Sequence, residues 1–389
     1  MAKDIVFVLH GIGKYDKGWL SEETGAVNAL KKASEQYGFF KNQSIDSYVE
    51  FVPVLYDDVF RRIMSHWASQ AEGLKNSLPV LPELASEVLD FVSDLDEDDW
   101  EKTFAADVVL YRGFRLFQQR VSLRVIKQIV DKVVETATMG DAVPDYHILA
   151  HSLGTAVAND ALCHLGNESW INGLAARHAA ETNPEIRQEQ QDILHAFERL
   201  KEQWNVVNPF SPTLFTFESV TMISNVSGFI YATEKPERTI VRPGTSSAEG
   251  AYAKTYINAN HIADPVSIAT DFDPPADWEL TDRFRDLKFN HFLPNDDLSG
   301  AADIGAWIHC ASHYMAHPNL HLRLLSKYVN PYVPSDDDMK SLNAFPRKFG
   351  PSSIGAPFKA GFDKLKSKDI SGLDDIINAI DKLKEVLDV

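Results

Sequence analysis

Tyr146-His147-Ile148-Leu149-Ala150-His151-Ser152-Leu153-Gly154-Thr155-Ala156 is the stretch that decides how this chain is read. An apolar run of strand character enters a serine flanked by small residues, and a helical pattern leaves it. Such a bend is a nucleophile elbow. It holds the serine in a strained backbone conformation that lifts the hydroxyl above the sheet edge, so the positions two before and two after must be small. Ala150 and Gly154 meet that demand, with alanine replacing the first glycine of the commoner G-x-S-x-G. The plainer reading is an ordinary serine in a strand-to-helix turn.

Outward from this bend, period and punctuation predict strands at residues 5–9, 48–55, 146–150, 220–225 and 254–258, separated by segments of helical pattern. His291 is expected to end the last strand. Apolar strands alternating with helices predict a mostly parallel sheet covered on both faces. Roughly ninety residues separate the second and third strands, far more than a crossover needs. Within them Leu110, Phe114, Phe117, Val121 and Val125 step at three and four residues, as one face of a long helix does. Residues 59–105 hold Pro79, Pro82 and an acidic run from Asp94 to Asp99, and read as a helical insertion of the kind that forms a lid. A second insertion covers about 166–212, with a polar helical section at 185–201 whose charges mark a solvated face. From 331 to 389 the chain is a C-terminal extension, and Ile376, Ile377, Ile380, Leu383 and Leu387 outline an amphipathic helix. That helix docks on its own body in the simpler reading, and on a second copy in a homodimer in the other.

The 389 residues, 44% of them apolar, suffice for one large α/β domain with insertions or two ordinary domains. A formal charge of −18 disfavours nucleic acid as a partner, because phosphate backbones require basic patches, and disfavours docking on anionic lipid. The apolar run at 5–9 is too short for a secretory core, and no stretch approaches a transmembrane segment. The expected location is cytoplasmic. The two thiols, Cys163 and Cys310, suggest neither a disulfide framework nor a cysteine-built zinc site.

A serine hydroxyl is a poor nucleophile near neutral pH and needs a base within hydrogen-bond reach, itself oriented by a third group. Asp264, in the Asp264-Pro265-Val266 segment after the strand at 254–258, suits a carboxylate held at a sheet edge. Its other reading is a helix cap, since Asp-Pro also starts helices. Asp271 and Asp273 lie farther from the strand end. For the base, His309 is preferred because a triad histidine normally occupies the loop before the last helix, and His313 is the alternative. His309, His313, His317 and His321 would form one stripe in an unbroken helix, which makes a metal site the rival reading. Against it, Pro318 breaks the helix and no carboxylate sits at ligand spacing. Oxyanion donors are expected from the backbone of Leu153, after the serine, and of Gly11 and Ile12, in the His10-Gly11-Ile12-Gly13 loop after the first strand. Gly11, Gly13 and Gly18 have the wrong spacing for a dinucleotide loop.

Taken in order, His10-Gly11-Ile12-Gly13, Ala150-His151-Ser152-Leu153-Gly154, Asp264-Pro265-Val266 and the late His309 resemble the α/β-hydrolase superfamily, specifically its bacterial lipase- and esterase-like members. The resemblance implies an α/β-hydrolase domain over 1–330 with a mostly parallel sheet, a Ser152–His309–Asp264 catalytic triad, an oxyanion hole, and no cofactor or metal. The expected activity is a serine esterase or lipase-like hydrolase acting on lipid-like or small acyl esters through an acyl-enzyme. A thioesterase, amidase or acyltransferase on the same fold, and a non-catalytic scaffold that binds a partner, are the other classes the pattern admits.

Overall fold

The computed structural model describes residues 2–11, 18–21, 25–59, 62, 111, 115–138, 143–228, 241–244, 251–262, 264, 272, 274, 278, 283–291 and 308–344. Among these residues six parallel strands form one sheet: β1 (Asp4–Leu9), β2 (Val49–Val54), β3 (Tyr146–His151), β4 (Phe217–Ile223), β5 (Ala253–His261) and β6 (Phe284–Phe289). Their spatial order is β2-β1-β3-β4-β5-β6, and every neighbouring pair runs parallel. Parallel strands need crossovers, and among the described residues helices supply those up to β4. Helix α1 (Ala26–Ser34) lies between β1 and β2, and α2 (Arg115–Thr138) precedes β3. Four helices separate β3 from β4: α3 (Leu153–Leu165), α4 (Glu168–Asn172), α5 (Leu174–Ala180) and α6 (Pro184–Trp204). After β6 come α7 (Ala311–Met315), α8 (Pro318–Tyr328) and α9 (Asp336–Ala344).

Both faces of the sheet are buried. Ile5, Phe7 and Leu9 of β1 join Val125, Ile129 and Val133 of α2 and Phe197 and Leu200 of α6 in one core. Val6 and Val8 join Val27 and Leu30 of α1 and Leu324 and Leu325 of α8 in the other. Strands covered on both sides read as continuous apolar runs, which is why β1 and β3 stand out in the sequence. The charges of α6 do not all face water as expected: Arg120 and Arg124 of α2 reach Glu185 and Glu189, and Lys127 reaches Asp192. That helix starts where Asn183 Oδ1 accepts the Glu185 and Ile186 amides ahead of Pro184, and stops at the left-handed Asn205. The last strand ends at Phe289, so His291 lies beyond it rather than ending it. Apart from Val59 and Arg62, the segment 59–105 expected as a lid lies outside the described residues, as do Leu110, Phe114, the Phe117 side chain, and the C-terminal helix with its Ile376, Ile377, Ile380, Leu383 and Leu387. No helix among the described residues is long and apolar enough to cross a membrane.

A buried imidazole sits in the middle of this sheet. His147 of β3 is fully buried, with Nδ1 2.8 Å from Ser219 Oγ on β4 and its ring against Tyr328. Burial, then the Lys327 and Lys254 charges, push its pKa from 6.5 down to about 3. The unfolded chain therefore takes up a proton that the folded one refuses. Stability from this group is whole above pH 6.5 and is lost as pH falls toward 3, by at most about 1.4 kcal/mol per pH unit. Replacing it as His147→Gln should flatten the decline of the urea midpoint between pH 6.5 and about 5. A decline as steep as wild type would contradict this account.

Candidate active site

At the end of β3 the chain turns through Ser152, whose φ of 55° and ψ of −130° place a non-glycine residue in left-handed backbone space. Such a conformation costs on the order of 1–3 kcal/mol and persists only where its surroundings over-determine it. The Ser152 amide donates to the Ile223 carbonyl of β4 at 3.0 Å. Its carbonyl accepts from the Thr155 amide at 2.8 Å and from Thr155 Oγ1 at 2.7 Å. Small residues are demanded by the end of β1: a Cβ on Gly154 would lie 2.3 Å from the His10 carbonyl oxygen and 3.0 Å from that of Leu9. A Cβ on Gly11 would lie 2.8 Å from Ser152 Cβ. Ala150 is fully buried between Leu9 and Met222 in the sheet.

Facing the serine, His309 Nε2 lies 2.9 Å from Ser152 Oγ. Its Nδ1 lies 3.1 Å from both carboxylate oxygens of Asp264, which is fully buried just past the end of β5. A hydroxyl donating to Nε2, and an Nδ1–H donating to a carboxylate, is the polarity that lets an imidazole take a serine proton. Burial by itself would raise the Asp264 pKa. The His309 charge and hydrogen bonds from His309, Tyr314 and Ser224 outweigh it and hold the carboxyl well below its usual range. Tyr314 donates to Asp264 Oδ2 at 2.6 Å and accepts the His261 amide at 3.2 Å, so the carboxylate stays ionised and immobile. Ser224, at the end of β4 with a φ of 48°, sets its Oγ 3.2 Å from His309 Nδ1.

His151 Nε2–H donates to the His309 carbonyl at 2.7 Å, which fixes the backbone of the facing residue. Burial, followed by the His309 charge, pushes His151 down to about 3, so it stays a neutral donor. Neither His151 nor Ser224 has a motif signal: one is the variable position of the bend, the other a serine at a strand end. Of the expected oxyanion donors, Leu153 is the first residue of α3, where its amide has no carbonyl of the preceding helical turn to bond. Gly11 lies against Ser152, its loop braced by His10 Nδ1–H donating to the Gly11 carbonyl at 2.7 Å and by Tyr56 stacked on the His10 ring. Ile12, Gly13, Asp271 and Asp273 lie outside the described residues.

The histidine stripe breaks up as Pro318 demands. Helix α7 ends at Met315, and His317 caps α8 by accepting the Asn319 amide on Nδ1. The four rings go to four places. His309 meets Ser152, while His321 bonds Tyr37 and the Met315 carbonyl. His317 stacks on Phe289. His313, the alternative base, is buried beside His261 and His291, with its ring 4.5 Å from that of His291. Among the described residues this trio is the one group placed to hold a metal ion. Comparison with protein-family models, with curated proteins and with solved structures returns no match to this chain.

The steric account of the bend has a direct test. Gly154→Ala should destabilise the protein by about 3 kcal/mol or prevent its folding, since the methyl meets backbone oxygens that cannot move without displacing β1. Gly38, where an added Cβ meets nothing within 4 Å, is the control, and Gly38→Ala should change stability by less than about 0.5 kcal/mol in urea unfolding. Equal effects at the two sites would contradict the close approach.

Proposed function

We propose that this chain is a serine hydrolase of the α/β-hydrolase type that cleaves carboxylic esters with Ser152 as nucleophile, His309 as base and Asp264 as its anchor. The observation that carries the reading is the unbroken chain of contacts from Ser152 Oγ to His309 Nε2 at 2.9 Å and from His309 Nδ1 to Asp264 at 3.1 Å, on a bend that strains the serine backbone. A fully buried and fully satisfied carboxylate is costly to build unless something adjacent must be oriented or charged. An imidazole that becomes imidazolium during reaction is such a partner.

In the proposed cycle His309 Nε2 takes the Ser152 proton as Oγ attacks the acyl carbon, and the carbonyl π pair moves onto oxygen. Backbone N–H groups of Leu153, Gly11 and Ile12 are the proposed donors to that oxyanion. Its collapse breaks the bond to the alcohol, which leaves with the proton from His309. Water, deprotonated by the same nitrogen, then attacks the acyl-serine and releases the acid with Ser152 restored. Asp264 keeps its charge throughout, holding Nδ1 protonated and Nε2 basic. Lipid-like or small acyl esters are the proposed substrates, since neither an anionic acyl group nor an anionic polymer suits a chain of charge −18.

A fluorophosphonate probe should label the protein and fail on Ser152→Ala. With p-nitrophenyl esters from acetate to palmitate, Ser152→Ala and His309→Ala should each lower kcat/KM by about 10⁴-fold or more, and Asp264→Asn by a similar factor. Absence of labelling in folded wild-type protein would overturn the proposal and favour a non-catalytic scaffold.

A further inference from the structure

We propose that His261, His291 and His313 bind a divalent transition-metal ion of the zinc class, which clamps the ends of β5 and β6 to the segment carrying His309. The three residues come from distant parts of the chain: His261 is the last residue of β5, His291 follows β6, and His313 lies in α7. All are buried, and one ring nitrogen of each lies within 4.8 Å of the others. The His291 and His313 rings are parallel within 5°, and the His261 ring stands at 77° and 75° to them.

Backbone carbonyls set the tautomers of His261 and His291. His261 Nε2 lies 2.8 Å from the His291 carbonyl, and His291 Nε2 lies 3.2 Å from the His313 carbonyl. A carbonyl only accepts, so each Nε2 carries the proton and each Nδ1 carries the lone pair. Metal-binding histidines are oriented in this way, with the far N–H spent on a carbonyl or carboxylate. Imidazole ligands around a four-coordinate zinc lie about 3.4 Å apart, given metal–nitrogen distances of about 2.0–2.1 Å, so small ring rotations close the observed spread. Three neutral nitrogens select zinc, copper or nickel over magnesium or calcium and leave a position for water or an anion. Asp264, within electrostatic reach of His261 and His313, supplies compensating negative charge.

The ion would act on position. His261 also donates its amide to the Tyr314 hydroxyl that bonds Asp264, and His313 precedes that tyrosine directly. Fixing both histidines fixes the acid, and with it the ring of His309.

The test is calorimetric titration of Zn²⁺ into the full-length, EDTA-treated protein. One ion per chain should bind with sub-micromolar Kd, and His291→Gln and His313→Gln, checked for folding by circular dichroism, should each weaken binding at least about 100-fold. Co²⁺ in the wild-type protein should give the intense visible bands of a four- or five-coordinate nitrogen site. No saturable Zn²⁺ binding, undiminished affinity in folded variants, or a weak six-coordinate Co²⁺ spectrum would each overturn the proposal. Ser152→Ala should bind Zn²⁺ as wild type does, so the result stands apart from the assignment of the hydrolase.

Discussion

A left-handed backbone at a serine is unfavourable by itself, and the protein maintains it by bringing three strand ends and one helix start into contact around a single peptide unit. The Ser152 amide is tied to β4 and its carbonyl to Thr155, and Thr155 Oγ1 in turn accepts the Val226 amide at 3.0 Å. Gly154 lets the first turn of α3 rest directly on the carbonyls that end β1. None of these contacts can be relaxed alone, because each strand end they use is also a rung of the parallel sheet. These contacts lie at the carboxyl edge of the sheet.

That edge is where the other polar groups collect. Gly11 follows β1, Ser152 follows β3, Ser224 follows β4, Asp264 follows β5 and His291 follows β6. Clefts at the carboxyl ends of parallel strands are the usual ligand sites of open α/β sheets, since chains diverge there and expose their loops. In this protein an amide ladder stiffens the same edge. Asn225 Nδ2 donates to Asn258, Asn258 Nδ2 donates to Asp286, and the Asn225 amide donates to Asn260 Oδ1. These cross-strand bonds fix the mutual positions of β4, β5 and β6, and therefore of Ser224 and Asp264.

How much of this the sequence discloses depends on whether a residue acts through its own neighbours or through distant ones. The bend at Ser152 was legible because its steric rule is local: Ala150 and Gly154 must be small whatever packs against them. Asp264 could be picked out by order along the chain and by the strand before it, whereas His309 could only be preferred to His313, because their spacing suits either as the base. The sheet was legible for β1, where both faces are apolar, and for β3, whose apolar run leads straight into the bend. It was less so for β5, whose last turn of sheet carries Asn258, Asn260 and His261, polar residues that look like a loop until their cross-strand partners are known. Strand β6, with Arg285, Asp286 and Lys288 on the sheet edge, hides for the same reason. His151, Ser224 and the meeting of His261 with His291 and His313 depend on contacts between segments far apart in the chain, and no spacing encodes them.

The central claim is that Ser152 becomes acylated because the bend and its facing imidazole make it nucleophilic. Acid-quenching the protein during turnover of p-nitrophenyl acetate, then digesting and sequencing the peptides by tandem mass spectrometry, tests this most directly. One acetyl group should be found, on Ser152, in the fraction trapped before hydrolysis. Turnover with the acetyl group on another side chain, or turnover that leaves Ser152 unmodified at every quench time, would contradict the account.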